Sequence, residues 1–225
     1  MSIINQTLHL ADNALILGHR NSEWTGHGPI LEQDIAISNI ALDLIGQARN
    51  FYQYAAELIG GDTTEDTLAY TRNANEFKNF LLVEQPNGDW GKTILRQFFF
   101  SAYQYPLYQQ MRGDTQLSAI AEKSLKEVTY HLRWSSEWVI RLGQGTEESH
   151  CRMTNAINEL WPYTGELLSP EIKDAWTSRV NEILSSAGIE IPSDVKMITG
   201  SHTPHLEKLL GEMQYMQRTY PGVEW

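Results

Sequence analysis

Cysteine is nearly absent: Cys151 stands alone among 225 residues, so no disulfide can form within the chain and nothing suggests an oxidising compartment. Read as a plain helix residue, Cys151 carries no chemistry. Bases are scarce as well, 17 Lys and Arg against 28 Asp and Glu, for a formal net charge of −11 and a pI near 5.0. Phosphate neutralisation needs clustered cations, so composition argues against nucleic acids and anionic membranes as partners. Long apolar runs are missing too. The longest stretch without a charge, Gln97–Met111, holds Gln, Ser, Tyr and Pro and is shorter than the ~20 apolar residues of a bilayer span. The opening residues MSIINQTLHLADNALILG lack a basic start and put His9, Asp12 and Asn13 where a secretion signal would be apolar. A cytoplasmic protein is expected.

Period-two alternation is also lacking, and what replaces it is helical periodicity. Residues 31–59 contain no proline, and Ile37, Ala41, Leu44, Ala48, Phe51, Ala55 and Leu58 fall on one face, with Leu31, Ile35, Leu42, Ile45 and Tyr52 widening the arc. A helix so broadly apolar belongs between other helices. A polar line, Glu32, Asn39, Asp43, Gly46, Asn50, Gln53 and Glu57, is either solvated or turned towards a buried site.

The remaining elements follow in order. Residues 3–19 read as a helix with Leu8, Ala11, Leu15 and Gly18 inward. Gly60-Gly61 ends the long helix, Thr63 and Asp66 cap a short one to Thr71, and Asn75–Val83 is a further helical piece. Trp90–Met111 is an aromatic helix kinked at Pro106, its aromatic stripe read as core packing. Thr115–Leu142 is a second very long helix with Leu117, Ile120, Ala121, Leu125, Val128, Leu132, Trp138 and Leu142 inward. Thr146 caps the next, Ser169-Pro170 opens one to Gly188, and Thr203-Pro204 opens the last, to Tyr220. The expectation is an all-α protein, a ferritin-like four-helix bundle with additional helices, forming a single domain over residues 1–225.

Bundles of this kind hold paired iron ions with a Glu from each of two helices and Glu-x-x-His from each of two others, because positions i and i+3 share a face. Such pairs are lacking. Gly46 stands three residues after Asp43, Tyr130 three after Glu127, and Val128 three before His131. No Asp or Glu occurs between Asp89 and Asp114, and the first helix offers only Asp12. The rival reading, a di-iron oxidase or oxygenase acting alone, must use Asp12, Asp43, Glu127 and His131 as a nonstandard ligand set. The other histidines make no spaced metal motif, and His202-x-x-His205 reads as surface. A phosphate loop and a Gly-x-Ser-x-Gly elbow are absent.

The strings DLIGQARNFYQYAAEL, LLVEQPNGDW, KEVTYHLRW, NAINELW and EMQYMQRTYPG make the chain resemble the structural C subunits of the multicomponent phenylacetyl-CoA epoxidase, over nearly its whole length. The resemblance implies a ferritin-like fold and kinship with the catalytic A subunit, whose helices carry the di-iron ligands. Where that sister pattern has Asp-Glu-x-Gly-His, this chain reads Asp43-Leu44-Ile45-Gly46-Gln47, so Leu44 replaces a ligand Glu and Gln47 a ligand His. Where it has Glu-Glu-Ser-Phe-His, this chain reads Glu127-Val128-Thr129-Tyr130-His131, keeping the His and replacing its Glu by Val128. The implied role is a metal-free, non-catalytic partner of the A subunit in aerobic phenylacetate catabolism. Its complex includes a B subunit and a reductase, and the di-iron centre resides in the partner; the sequence leaves open whether the lone chain pairs with itself as a homodimer. A protein keeping an acyl-CoA pocket is a third possibility, and the region after Tyr163 carries no assigned role.

Overall fold

The computed structural model describes residues 2–111 and 114–223. Among them ten α-helices form: α1 (Ile3–Ser22), α2 (Leu31–Ile59), α3 (Glu65–Tyr70), α4 (Leu81–Glu84), α5 (Trp90–Gln110), α6 (Thr115–Gly143), α7 (Glu147–Leu160), α8 (Lys173–Ala187), α9 (Pro204–Met213) and α10 (Tyr215–Thr219). Single 3₁₀ turns occupy Ala74–Glu76, Trp161–Tyr163 and Gly165–Leu167, and no strand occurs among the described residues. The chain divides into two compact units, one of Met1–His27, Asp34–Pro86 and Gly200–Trp225, the other of Gly28–Gln33 and Asn87–Thr199.

In the first unit α1 is buried on nearly every side, its polar Thr7, Asp12, Asn13, Arg20 and Asn21 included. Gly18 permits the close crossing of α2, for a Cβ there would lie 2.9 Å from Ile45 Cγ1 and 3.3 Å from the Ala41 carbonyl. Helix α2 has the expected bounds but not the expected arc. Ile37, Ala41, Leu44, Ala48, Phe51, Tyr52 and Ala55 are buried, whereas Leu31, Ile35 and Leu42 are 72%, 52% and 66% exposed. At ~100° per residue those three lie about 140° from the core axis, and the buried side extends the other way, through Ala36, Ile40, Gln47 and Tyr54. The polar line lies on the outer side: Glu32, Asn39, Gly46 and Glu57 are exposed and Asp43, Asn50 and Gln53 half-buried.

The expected helical piece at 75–83 is instead the 3₁₀ turn, a non-helical run over 77–80 that is extended at Phe77 and Phe80, and the single turn of α4. Side chains impose this. Lys78 N–H donates to Asp12 Oδ2 (2.7 Å), Phe80 N–H donates to Asn13 Oδ1 (2.9 Å), and the Lys78 carbonyl faces His9 Nδ1 (2.6 Å). Bonds that local helix formation would have made go to α1 instead, where burial makes an unmet backbone group costly. The cap of α3 also moves by one residue: Thr64 Oγ1 accepts from Thr67 N–H (3.2 Å) and Thr67 Oγ1 from Thr64 N–H (2.9 Å), so threonine completes the box in place of Asp66.

The expected last helix is two, α9 and α10. At the break Gln214 is buried, and its Nε2 donates to the carbonyls of Ala69 (3.1 Å) and Arg72 (3.0 Å), while Arg218 donates to the carbonyls of Thr71 and Arg72. Leu206, Leu209 and Leu210 supply the apolar anchor.

The second unit is built on α5, buried from Trp90 to Gln104 except at Lys92 and continuous through Pro106. Phe98, Phe99 and Phe100 have essentially no exposure, Trp176 Nε1–H donates to the Phe99 carbonyl (2.9 Å), and Trp161 and Trp176 flank the Phe99 ring. The aromatic stripe is therefore core. In α6, Leu117, Ala121, Val128 and Leu132 are inward as expected, Ile120, Leu125, Trp138 and Leu142 are half-buried, and Trp134 and Val139 join the core. Helix α8 starts three residues after Pro170, because turns from Ser169 accept Ile172 and Lys173 N–H first. Thr146 caps α7 as expected, accepting from Ser149 N–H (3.2 Å). Gly143, where α6 ends, meets α8: a Cβ would lie 2.3 Å from the Ala187 carbonyl oxygen and 2.7 Å from its Cβ. Backbone cannot yield as a flexible side chain does, so Gly143→Ala is expected to cost about 1–3 kcal/mol in urea unfolding.

Candidate functional site

The positions that the resemblance singles out lie on α2 and α6, and their burial is now visible. On α2, Leu44 has no exposure, Gln47 is 1% exposed and Asp43 is half-buried. On α6, Val128 and His131 are both fully buried, and the Ser135 hydroxyl donates to the His131 carbonyl at 2.7 Å. Hydrocarbon thus fills two inward positions and an amide a third. Among the described residues no three of His, Cys, Asp and Glu converge in a way that could hold a metal ion.

Asp12, the one acid of α1, has a different occupation. Its buried carboxylate accepts from Tyr52 Oη–H (2.6 Å), from both terminal nitrogens of Arg72 and from Lys78 N–H (2.7 Å). Those four donors use the roughly four acceptor positions that a carboxylate has. The Arg72 guanidinium also lies over the Phe77 ring, 4.2 Å from its centroid. Burial, and secondarily the Asp12 charge, push the Tyr52 phenol well above its ordinary range, so it stays a neutral donor.

A second buried carboxylate, Glu84 of α4, escaped the sequence reading. It accepts from Asn79 Nδ2 (3.1 Å), Thr203 N–H (2.8 Å), the Thr203 hydroxyl (2.7 Å) and the His202 ring. Glu84 has no exposure and supplies a tethered anion at the start of α9. Thr203 occupies the expected cap position, yet its hydroxyl serves Glu84 and makes no cap bond. His202 is accordingly not the surface residue expected; His205 is exposed, as expected. The available signal was an acid directly after three apolar residues in LLVE, and nothing local tied it to position 202.

The imidazoles of His9 and His19 are both held below their usual range by burial, which disfavours the charged form. Cys151 is exposed on α7.

Helices throughout and a buried aromatic core helix define an all-α protein of the ferritin-like class. The chain belongs to the phenylacetic acid catabolic protein family, whose model matches residues 1–175 and 169–225. It is similar to the C subunit of 1,2-phenylacetyl-CoA epoxidase from Escherichia coli strain K12, with 46% identity over 242 aligned residues covering 97% of each chain. No helix among the described residues is long and apolar enough to cross a membrane.

Proposed function

We propose that this chain is a non-catalytic subunit of a phenylacetyl-CoA epoxidase in aerobic phenylacetate catabolism. It pairs with a di-iron catalytic subunit and stabilises it, acts as one domain over residues 1–225, and works in the cytoplasm. The similarity to a named subunit supports membership of a multi-subunit assembly. The observation that carries the non-catalytic part is the burial of Leu44, Gln47 and Val128, where the resemblance expects ligands.

The residues present do not fit a di-iron group. A ligand set needs carboxylates with free lone pairs, and the Asp12 carboxylate already has four donors. The stand-alone oxidase reading loses that ligand. Any iron of the assembly then belongs to the partner, and this chain contributes packing surface.

Metal analysis of the chain purified alone, and again after co-expression with the catalytic subunit, tests the reading. Iron is expected only in the joint preparation; stoichiometric iron surviving dialysis in the lone chain would overturn it. Calorimetry of the lone chain with phenylacetyl-CoA is expected to give no binding heat, and a saturable isotherm would favour the acyl-CoA pocket instead.

A further inference from the structure

The two ring nitrogens of His202 both face acceptors. Nδ1 meets the Glu84 carboxylate and Nε2 lies 2.9 Å from the Phe77 carbonyl oxygen. Neither a carbonyl nor an ionised carboxylate can donate, and a neutral imidazole carries a single N–H. Both bonds therefore exist together only when the ring is an imidazolium. We propose that His202 is a proton-dependent latch, fastening the segment before α9 to Phe77 and Glu84 when charged and loosening it when the ring loses its proton.

The surroundings favour the charged ring. Glu84 is a buried anion whose other donors, Asn79 and Thr203, are neutral. Asp12 adds negative potential from α1, although Arg72 is paired with it. Arg20, also on α1, donates to the Glu84 and His205 carbonyls and pairs with Glu23. On α9, Glu207 lines the same cavity as His202, with Ala74, Asn75 and Ser201. That cavity, about 640 Å³, gives the ring a route for proton exchange. The Glu84 hydrogen bond leads in raising the His202 pKa above 6.5, against the lowering effect of burial.

A group whose pKa is higher folded than unfolded contributes its full stability below the unfolded value. That contribution is lost as pH rises through the folded value. The latch is thus fastened in mild acid and loosened in alkali. Loosening stays local, because Gln214 and Arg218 hold the next stretch through their own bonds to backbone carbonyls.

Hydrogen exchange followed by mass spectrometry on the full chain, corrected for intrinsic rates, tests the latch. Protection of peptides within 200–206 is expected to fall by up to about tenfold per pH unit above pH ~6.5, then level off, while peptides within 210–219 hold steady. His202→Gln is expected to remove the pH dependence and leave the segment at its weaker level throughout. Glu84→Gln should shift the fall to lower pH. Protection in 200–206 that does not change with pH, an equal fall in 210–219, or a wild-type slope retained by His202→Gln would each overturn the proposal. The ¹⁵N shifts of the His202 ring give a reading that depends on no variant: two protonated nitrogens near neutral pH support the latch, and a neutral tautomer there refutes it.

Discussion

A chain carrying Leu44→Glu, Gln47→His and Val128→Glu is expected to lose its cooperative fold instead of gaining iron. Positions 44 and 128 have no exposure, so each new carboxylate enters without water. An uncompensated buried charge costs about 3–5 kcal/mol, and two such costs rival the ~5–15 kcal/mol by which domains are stable. Metal cannot repay the debt, since α5 contains no carboxylate and Asp12 is saturated with donors. Circular dichroism on heating, with bound iron measured in parallel, reads both halves of the prediction. A melting curve like that of the parent would show that Leu44 and Val128 do not pack as core residues.

The second large effect belongs to Asp12. Asp12→Asn leaves the Arg72 guanidinium, whose side chain is 10% exposed, without its counter-charge, and also weakens the anchor of Lys78 N–H. The expected loss is about 3–5 kcal/mol, or roughly 6–20 °C in melting midpoint for a chain of this size. Replacing both partners, Asp12→Leu with Arg72→Met, should recover much of that loss, because no buried charge then remains. Recovery measured in a double-mutant cycle separates the ion pair from the anchoring of residue 78; equal losses in single and double variants would put the effect in the anchor alone.

Local rules made much of this fold legible. The bounds of α2 and the start of α6 follow from uninterrupted periodicity, and Thr146 acts as its side chain predicts. Local rules failed where a distant side chain took over a bond. The run 77–80 is non-helical because α1 supplies its partners, and Thr203 gives its hydroxyl to Glu84, more than a hundred residues earlier. Leu31, Ile35 and Leu42 were misplaced for another reason: periodicity reports that a residue is apolar and cannot say which of two stripes meets the core. The lack of Glu-x-x-His on α2 and α6 was readable as letters at i and i+3, whereas the pairing of Glu84 with His202 leaves no spacing to read.

The run 77–80 behaves like a strand whose neighbour is made of side chains. His9, Asp12 and Asn13 on α1 address its Lys78 and Phe80 amides and a carbonyl, and His202 takes the carbonyl of Phe77. A β-ladder tolerates almost any side chain, because its bonds come from the main chain. Here the ladder is spelled out by four particular residues, so drift at any one of them breaks a rung that no neighbour can replace. Positions 9, 12, 13 and 202 are expected to change together or not at all, and a library randomising them should recover folded chains in which the four choices are correlated.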